Sequence, residues 1–238
     1  MRTDRISAAE PVSALRHVKI VECGEELVDF LALCPGLLFD RPRFKYRRET
    51  LLRRTVAEKL CEAERNLPEG YRFLIVEGWR PPHIQRRMYR AVWDMIAARR
   101  PGLSETSLKR IVNRYSAPMN VRVPPPHTTG AAIDLMLADS EGRELDLTSP
   151  FDPFDPHSAS FDSHGLSDGA RRHRDIMAAA LSAAGLTNYP SEYWHWSYGD
   201  QGWAYRGGHP HAIYCAIEPP NYSPNPGDDI DAPLERVD

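Results

Sequence analysis

Along the middle of the chain the apolar residues change their period repeatedly, and this alternation is what most restricts the fold. Residues 49–66 repeat with a helical spacing, Leu52, Val56, Leu60 and Ala63 falling on one face and paired arginines on the other. Pro68-Glu69-Gly70 is a turn, and residues 71–76, Tyr-Arg-Phe-Leu-Ile-Val, carry the aromatic and β-branched side chains of a strand. Pro81-Pro82 opens a second helix to about residue 100, with Ile84, Met88, Val92 and Met95 or Ile96 inward; proline's fixed φ and missing N–H suit a helix start. A short helix is expected over residues 104–114, an extended proline-stiffened loop over 118–126, and a strand over 131–137 reaching the turn Ser140-Glu-Gly142. Residues 168–184 read as a long helix closed by Gly185, and 193–198 and 212–217 as strands. Strands and helices without strict β-α-β order predict an α+β fold.

The 238 residues suffice for one large domain or two small ones. No linker interrupts the middle of the chain, so a single domain is expected over residues 14–220. Residues 1–13 read as a flexible lead-in, and 221–238, rich in Pro and Asp, as an exposed tail. No run approaches the ~18 apolar residues that a membrane span needs. The N-terminus is broken by charge every few residues and has no signal-peptide core, so a cytoplasmic protein is expected.

A net charge of −3, from 30 basic and 33 acidic residues, lacks the basic excess of a nucleic-acid binder. The pairs Arg47-Arg48, Arg53-Arg54 and Arg86-Arg87 read instead as solvated helix faces. Cys23, Cys34, Cys61 and Cys215 are widely spaced and include no CxxC pair. They read as reduced thiols, not as a disulfide framework or a zinc ribbon.

Two of the nine histidines have company that points to chemistry. His127 opens His-Thr-Thr-Gly-Ala-Ala-Ile-Asp134, seven residues from an aspartate set in an apolar run. The prolines before it and Gly130 within it argue against a helix, and on a flat strand an odd separation puts two side chains on opposite faces. His127 and Asp134 therefore converge only if Thr128-Thr129-Gly130 bends, which glycine permits. A carboxylate among Ala-Ala-Ile and Leu-Met-Leu must be paired, with backbone, arginine or a metal, because burying it bare is costly.

His195 lies between Trp194 and Trp196, with Glu192 three residues before it. The aromatic run favours a strand, so Glu192 would enter from the turn ahead of it. A second ExxH pair, as a di-iron bundle needs, is absent, and so is HExxH. His209-Pro-His211 is a weak metal signal, and the remaining histidines have no partner at a recognised spacing. Two imidazoles and one carboxylate, with a fourth position open to water, form the ligand set of a catalytic zinc site, and a spare Glu is what such a site needs as a base. Non-haem iron uses the same ligand types but normally shows a short HxD or HxE pair.

Four pieces of the chain resemble the zinc D-alanyl-D-alanine dipeptidases of the VanX type, within the wider group sharing the DD-carboxypeptidase and hedgehog-like fold. They are Glu77-Gly-Trp-Arg80-Pro-Pro, His127-Thr-Thr-Gly-Ala-Ala-Ile-Asp134, Pro150-Phe-Asp152 and Glu192-Tyr-Trp-His195-Trp196, in matching order over roughly residues 45–217. The resemblance implies a single α+β domain whose small, mostly antiparallel sheet is flanked by helices. It implies that His127, Asp134 and His195 hold Zn2+, that Glu192 is the general base, and that Arg80 steadies the carbonyl oxygen as it becomes an oxyanion. Asp152 would bind the free amino end of a small dipeptide, and Tyr193 would shape the substrate pocket.

Two departures bear on the substrate. Pro125 stands where the vancomycin-resistance branch usually has Ser, and Tyr193 stands where Trp is expected. The expectation is a zinc peptidase acting on D-Ala-D-Ala, in cell-wall dipeptide recycling or glycopeptide resistance. Its rivals are a peptidoglycan carboxypeptidase of the same fold and a zinc-bearing binding module without turnover; the latter needs neither Glu192 nor Arg80.

Overall fold

The run Phe73-Leu-Ile-Val76 forms a strand because it has two apolar faces to bury, and it lies at the heart of the sheet. A computed structural model describes residues 10, 12–113, 115–147, 161–224, 232–235 and 237. Strands β1 (Leu27–Asp29) and β3 (Leu51–Arg53) form a small antiparallel pair. The main sheet has the order β2 (Leu38–Phe39), β4 (Tyr71–Glu77), β5 (Ala132–Asp139), β7 (His195–Ser197), β6 (Thr187–Asn188). Only the β2–β4 edge is parallel, the other three pairings being antiparallel. The expected α+β domain with a mostly antiparallel sheet is what forms.

The helices among the described residues are α1 (Val12–Leu15), α2 (Phe30–Leu33), α3 (Arg54–Arg65), α4 (Pro82–Arg99), α5 (Glu105–Val112), α6 (Asp168–Ala183) and α7 (Gln201–Gly207). Capping sets several boundaries: the hydroxyls of Ser104 and Ser167 and the carboxylate of Asp200 accept the N–H groups of Ser107, Ala170 and Trp203. None of the described helices is long and apolar enough to cross a membrane.

Alternation along the strands divides their side chains between two faces. Phe73, Ile75, Ile133, Leu135, Leu137 and Trp196 share one face and are almost wholly buried. In the same core lie Val56 and Leu60 of α3 and Met177 and Leu181 of α6. Burying each such side chain contributes on the order of 1.5–3 kcal/mol, so this layer is the rigid base of the molecule. Asp134 and His195 belong to the opposite face.

Several elements depart from the sequence expectation. The helix expected from residue 49 begins at Arg54, because 51–53 pair with β1 as a strand. Arg53 explains the change: it is 1 % exposed, its guanidinium bonds the Thr129 carbonyl at 2.8 Å and the Glu22 carboxylate at 3.0 Å, and its N–H donates to Gly130 O. Those partners lie far along the chain and override local helix propensity. The strand expected over 212–217 reduces to an isolated bridge between Ala212 and Ile20.

The C-terminal run is not simply an exposed tail. In its described part Leu234 is buried against Tyr46 and Ile84. At the other end, Glu10 of the expected lead-in forms a mostly buried ion pair with Arg206.

Candidate metal and catalytic site

Register across the sheet lines up three site residues. Asp134 on β5 is directly opposite His195 on β7 and directly opposite Glu77 on β4. The second pairing depends on a register shift between Ile75 and Glu77, with Val76 as the extra residue. Without that bulge Val76 would face Asp134, and Glu77 would move to the side of Ile133.

His127 arrives from a different element. Residues Pro126–Thr129 make a single 3-10 turn, and Gly130 leaves it in the left-handed region at φ +72. This is the bend that the His127–Asp134 spacing required. The φ +72 conformation disfavours any side chain at Gly130, and a Cβ there would lie 2.5 Å from Leu27 Cδ2, so Leu27 would also have to shift. The turn is clamped to the end of β4 by two bonds: Arg80 N–H donates to His127 O at 3.1 Å, and the His127 ring meets the Gly78 carbonyl through Nδ1 at 2.9 Å.

That last bond decides which ring nitrogen can bind a cation. A carbonyl only accepts, so Nδ1 carries the proton and Nε2 keeps its lone pair, an assignment made from the hydrogen bond. Nε2 then faces Asp134 Oδ2 at 3.2 Å, a gap that a proton or a metal ion can bridge. His195 presents Nδ1 to the other carboxylate oxygen, Oδ1, at 3.0 Å. The two rings are T-shaped with centroids 4.9 Å apart. One ligand atom from each of the three residues lies within 4.8 Å of the others. Two imidazole nitrogens and a carboxylate oxygen gathered this closely can each give a lone pair to one cation, so this donor set fits a metal ion. Burial alone would raise the Asp134 carboxyl, but positive charge and donated hydrogen bonds from the His127 and His195 side, where a cation would also sit, hold it well below the usual carboxylate range.

Glu192 sits in the turn immediately before β7, as the aromatic pattern implied. Its N–H donates to Tyr189 O at 2.9 Å, its own carbonyl accepts from His195 N at 3.2 Å, and Asn188 Nδ2 donates to that same carbonyl at 2.9 Å. The partly buried side chain feels the charges of His195, Asp134 and Arg80. Desolvation pushes its carboxyl up to about 7, with His195 and Arg80 acting in the opposite sense. The Tyr189 ring stands edge-on to His195 at 5.9 Å and walls the same corner.

Arg80 is buried beside the triad, 3.9 Å from Asp134 Oδ2 and 3.4 Å from Glu77 Oε2, and its Nη1 donates to Gln85 Oε1 at 2.8 Å. Burial would lower its pKa, but Glu77, Tyr46 and Asp134 more than offset this and raise it. Because Glu77 is the nearer anion, Arg80 leaves most of the Asp134 charge for a cation. Glu77, its neighbour Tyr46 and Gln85 were not singled out from sequence. Glu77 offered the same signal as Asp134, an acid closing an apolar run.

Two expected substrate residues fare differently. Asp152, with Pro150, lies outside the described residues. Tyr193 is buried in the core, with the Arg174 guanidinium 4.1 Å above its ring. Its carbonyl accepts from the Trp196 indole at 3.0 Å, which fixes the turn and not a ligand. Pro125, in place of a serine, supplies its carbonyl to the N–H and hydroxyl of Thr128 and so helps to close the His127 turn.

Residues 39–215 match the family model described as D-ala-D-ala dipeptidase. The D-alanyl-D-alanine dipeptidase of Synechocystis sp. is 26% identical over 224 residues, covering 82% of this chain and 91% of that protein. The D-alanyl-D-alanine dipeptidase of Escherichia coli is 32% identical over 77 residues, 32% of this chain and 39% of that protein. The family match spans well over half of the chain and takes in His127, Asp134, Glu192, His195 and Arg80. The chain belongs to the D-ala-D-ala dipeptidase family of peptidases.

Proposed function

We propose that this protein hydrolyses D-alanyl-D-alanine or a similar small dipeptide, with a zinc ion held by His127, Asp134 and His195. The observation that carries the reading is the convergence of Glu192 and Arg80 on one metal-binding triad. A structural metal site needs neither an unligated carboxylate nor a buried arginine, whereas a hydrolytic one needs both. Zinc in a two-histidine, one-carboxylate set activates water and polarises a carbonyl.

The protein's own residues supply the remainder. Glu192, desolvated and close to neutral-pH titration, accepts a proton from the attacking water and returns it to the leaving amine nitrogen. Arg80, fixed by Glu77 and Gln85, presents a cation to the developing oxyanion without having to move. The Gly78 carbonyl holds His127 in the tautomer that offers Nε2. Asp152 is assigned the free amino end of the substrate, which favours dipeptides over blocked or longer peptides.

D-alanine release from D-Ala-D-Ala by zinc-loaded protein tests this, with L-Ala-L-Ala and Glu192→Gln as controls. Release that prefers the D,D dipeptide and needs Glu192 supports the reading. Cleavage confined to longer wall peptides would make the protein a carboxypeptidase, and zinc binding without any turnover would make it a binding module.

A further inference from the structure

The family match ends at residue 215, yet the chain beyond it returns to the vicinity of Arg80. Residues 232–235 and 237 run antiparallel to 43–45: Lys45 N–H donates to Glu235 O at 2.8 Å, and Val237 N–H donates to Arg43 O at 3.2 Å. On the side of α4, Arg87 Nε donates to Ala232 O at 3.0 Å. These bonds press Leu234 onto Tyr46 and Ile84, and all three side chains are under a tenth exposed. Tyr46 is the link to the site, because its hydroxyl donates to the Glu77 carboxylate oxygen that also pairs with Arg80. The other oxygen of Glu77, Oε1, is buried and has no hydrogen-bond partner among the described residues. Glu77 is therefore held by one side only, through Tyr46 and Arg80.

We propose that residues 232–235, with Val237, form a strap whose Leu234 seals Tyr46 over Glu77 and thereby fixes Arg80 against the substrate carbonyl. The inference rests on the role given to Arg80 in the proposed function. A hydroxyl–carboxylate bond strengthens when water is kept away. Lifting Leu234 off the Tyr46 ring admits water that competes for Glu77. Arg80 then gains freedom, and a cation that must reorganise during the reaction stabilises the oxyanion less. Leu234, Tyr46 and Glu77 are positioning residues, since none of them is placed to touch the reacting atoms.

The test compares the full chain with a chain ending at Ser223, with Leu234→Ala, Tyr46→Phe and the double variant. Lys45→Ala serves as control, removing the exposed Lys45–Glu235 ion pair. The strap predicts a fall in kcat for D-Ala-D-Ala of about tenfold to a hundredfold, with KM and metal content unchanged. Affinity for a phosphinate analogue of the dipeptide, which mimics the oxyanion, should fall by a similar factor. The double variant should be no worse than the worse single one, because both act through one contact. Hydrogen exchange in the segment 77–85 should quicken on truncation, whether or not the dipeptide is cleaved. Full kcat and analogue affinity in the truncated chain, or additive losses in the double variant, overturn the strap. Should the intact protein fail to cleave the dipeptide, the proposed function falls; unchanged exchange in 77–85 then overturns the strap separately.

Discussion

Glu77 stands directly opposite Asp134 across β4 and β5, one position out of the register that residues 71–75 set. The bulge that puts it there turns an acid from one face of the sheet to the other. It places a buried carboxylate beside Arg80, so that the arginine lies nearer to Glu77, at 3.4 Å, than to Asp134, at 3.9 Å. The site is thus two adjacent charge systems on one sheet face, the His127–Asp134–His195 triad and the Glu77–Arg80 ion pair.

Metal retention separates the triad from its surroundings. His127→Ala, Asp134→Ala and His195→Ala should each lose bound metal on dialysis, whereas wild type retains about one equivalent. Zinc at a hundredfold excess over its Kd should stabilise wild type by about 2.7 kcal/mol, read as a rise in Tm, and the three variants much less. A variant that keeps a full equivalent removes that residue from the ligand set.

Glu192→Gln keeps the shape of the side chain and loses its basicity. Metal content and Tm should stay near wild type while turnover drops by about 10²–10⁴-fold. Near-wild-type kcat would dismiss Glu192 as the base.

Arg80 makes a fork of bonds that an ammonium cannot copy. Arg80→Lys keeps the charge but cannot reach Glu77, Gln85 and the oxyanion together. Its kcat should fall by about 10²–10³-fold with metal retained. Equal kcat in wild type and variant, measured at saturating dipeptide, would contradict the oxyanion role.

Gly130→Ala tests the bend itself. A side chain at φ +72 meets Leu27 within 2.5 Å, so the variant should lose about 1–3 kcal/mol in urea unfolding. Relief of the clash moves the 126–129 turn and His127 with it, so metal affinity should weaken in the same variant. Unchanged affinity alongside lowered stability would show that His127 is held independently of the turn.

Much of the site was legible because its signals are local. A glycine inside His127-Thr-Thr-Gly-Ala-Ala-Ile-Asp134 demanded a bend, and the 3-10 turn with its left-handed exit supplies it. Glu192 entering from a turn before an aromatic strand followed from the same local logic. What escaped notice has distant partners. Arg53 becomes strand because Glu22, Thr129 and Cys215 collect its guanidinium. Tyr193 enters the core because Arg174, nineteen positions earlier in sequence, lies over its ring. Leu234 is buried because Tyr46 and Ile84 offer it a pocket.

The sequence by itself determined the long helices, the central strands and the bend, since apolar period and backbone permissiveness act over a few residues. It also determined which side chains can bind a metal, because ligand chemistry is a property of residue type. The tertiary structure alone decided the bulge that brings Glu77 to Asp134, the carbonyl that selects the His127 tautomer, and the strap over Tyr46. Each of these depends on a register or a contact between segments far apart in sequence, and such pairings are set by packing of the whole sheet and not by any local preference.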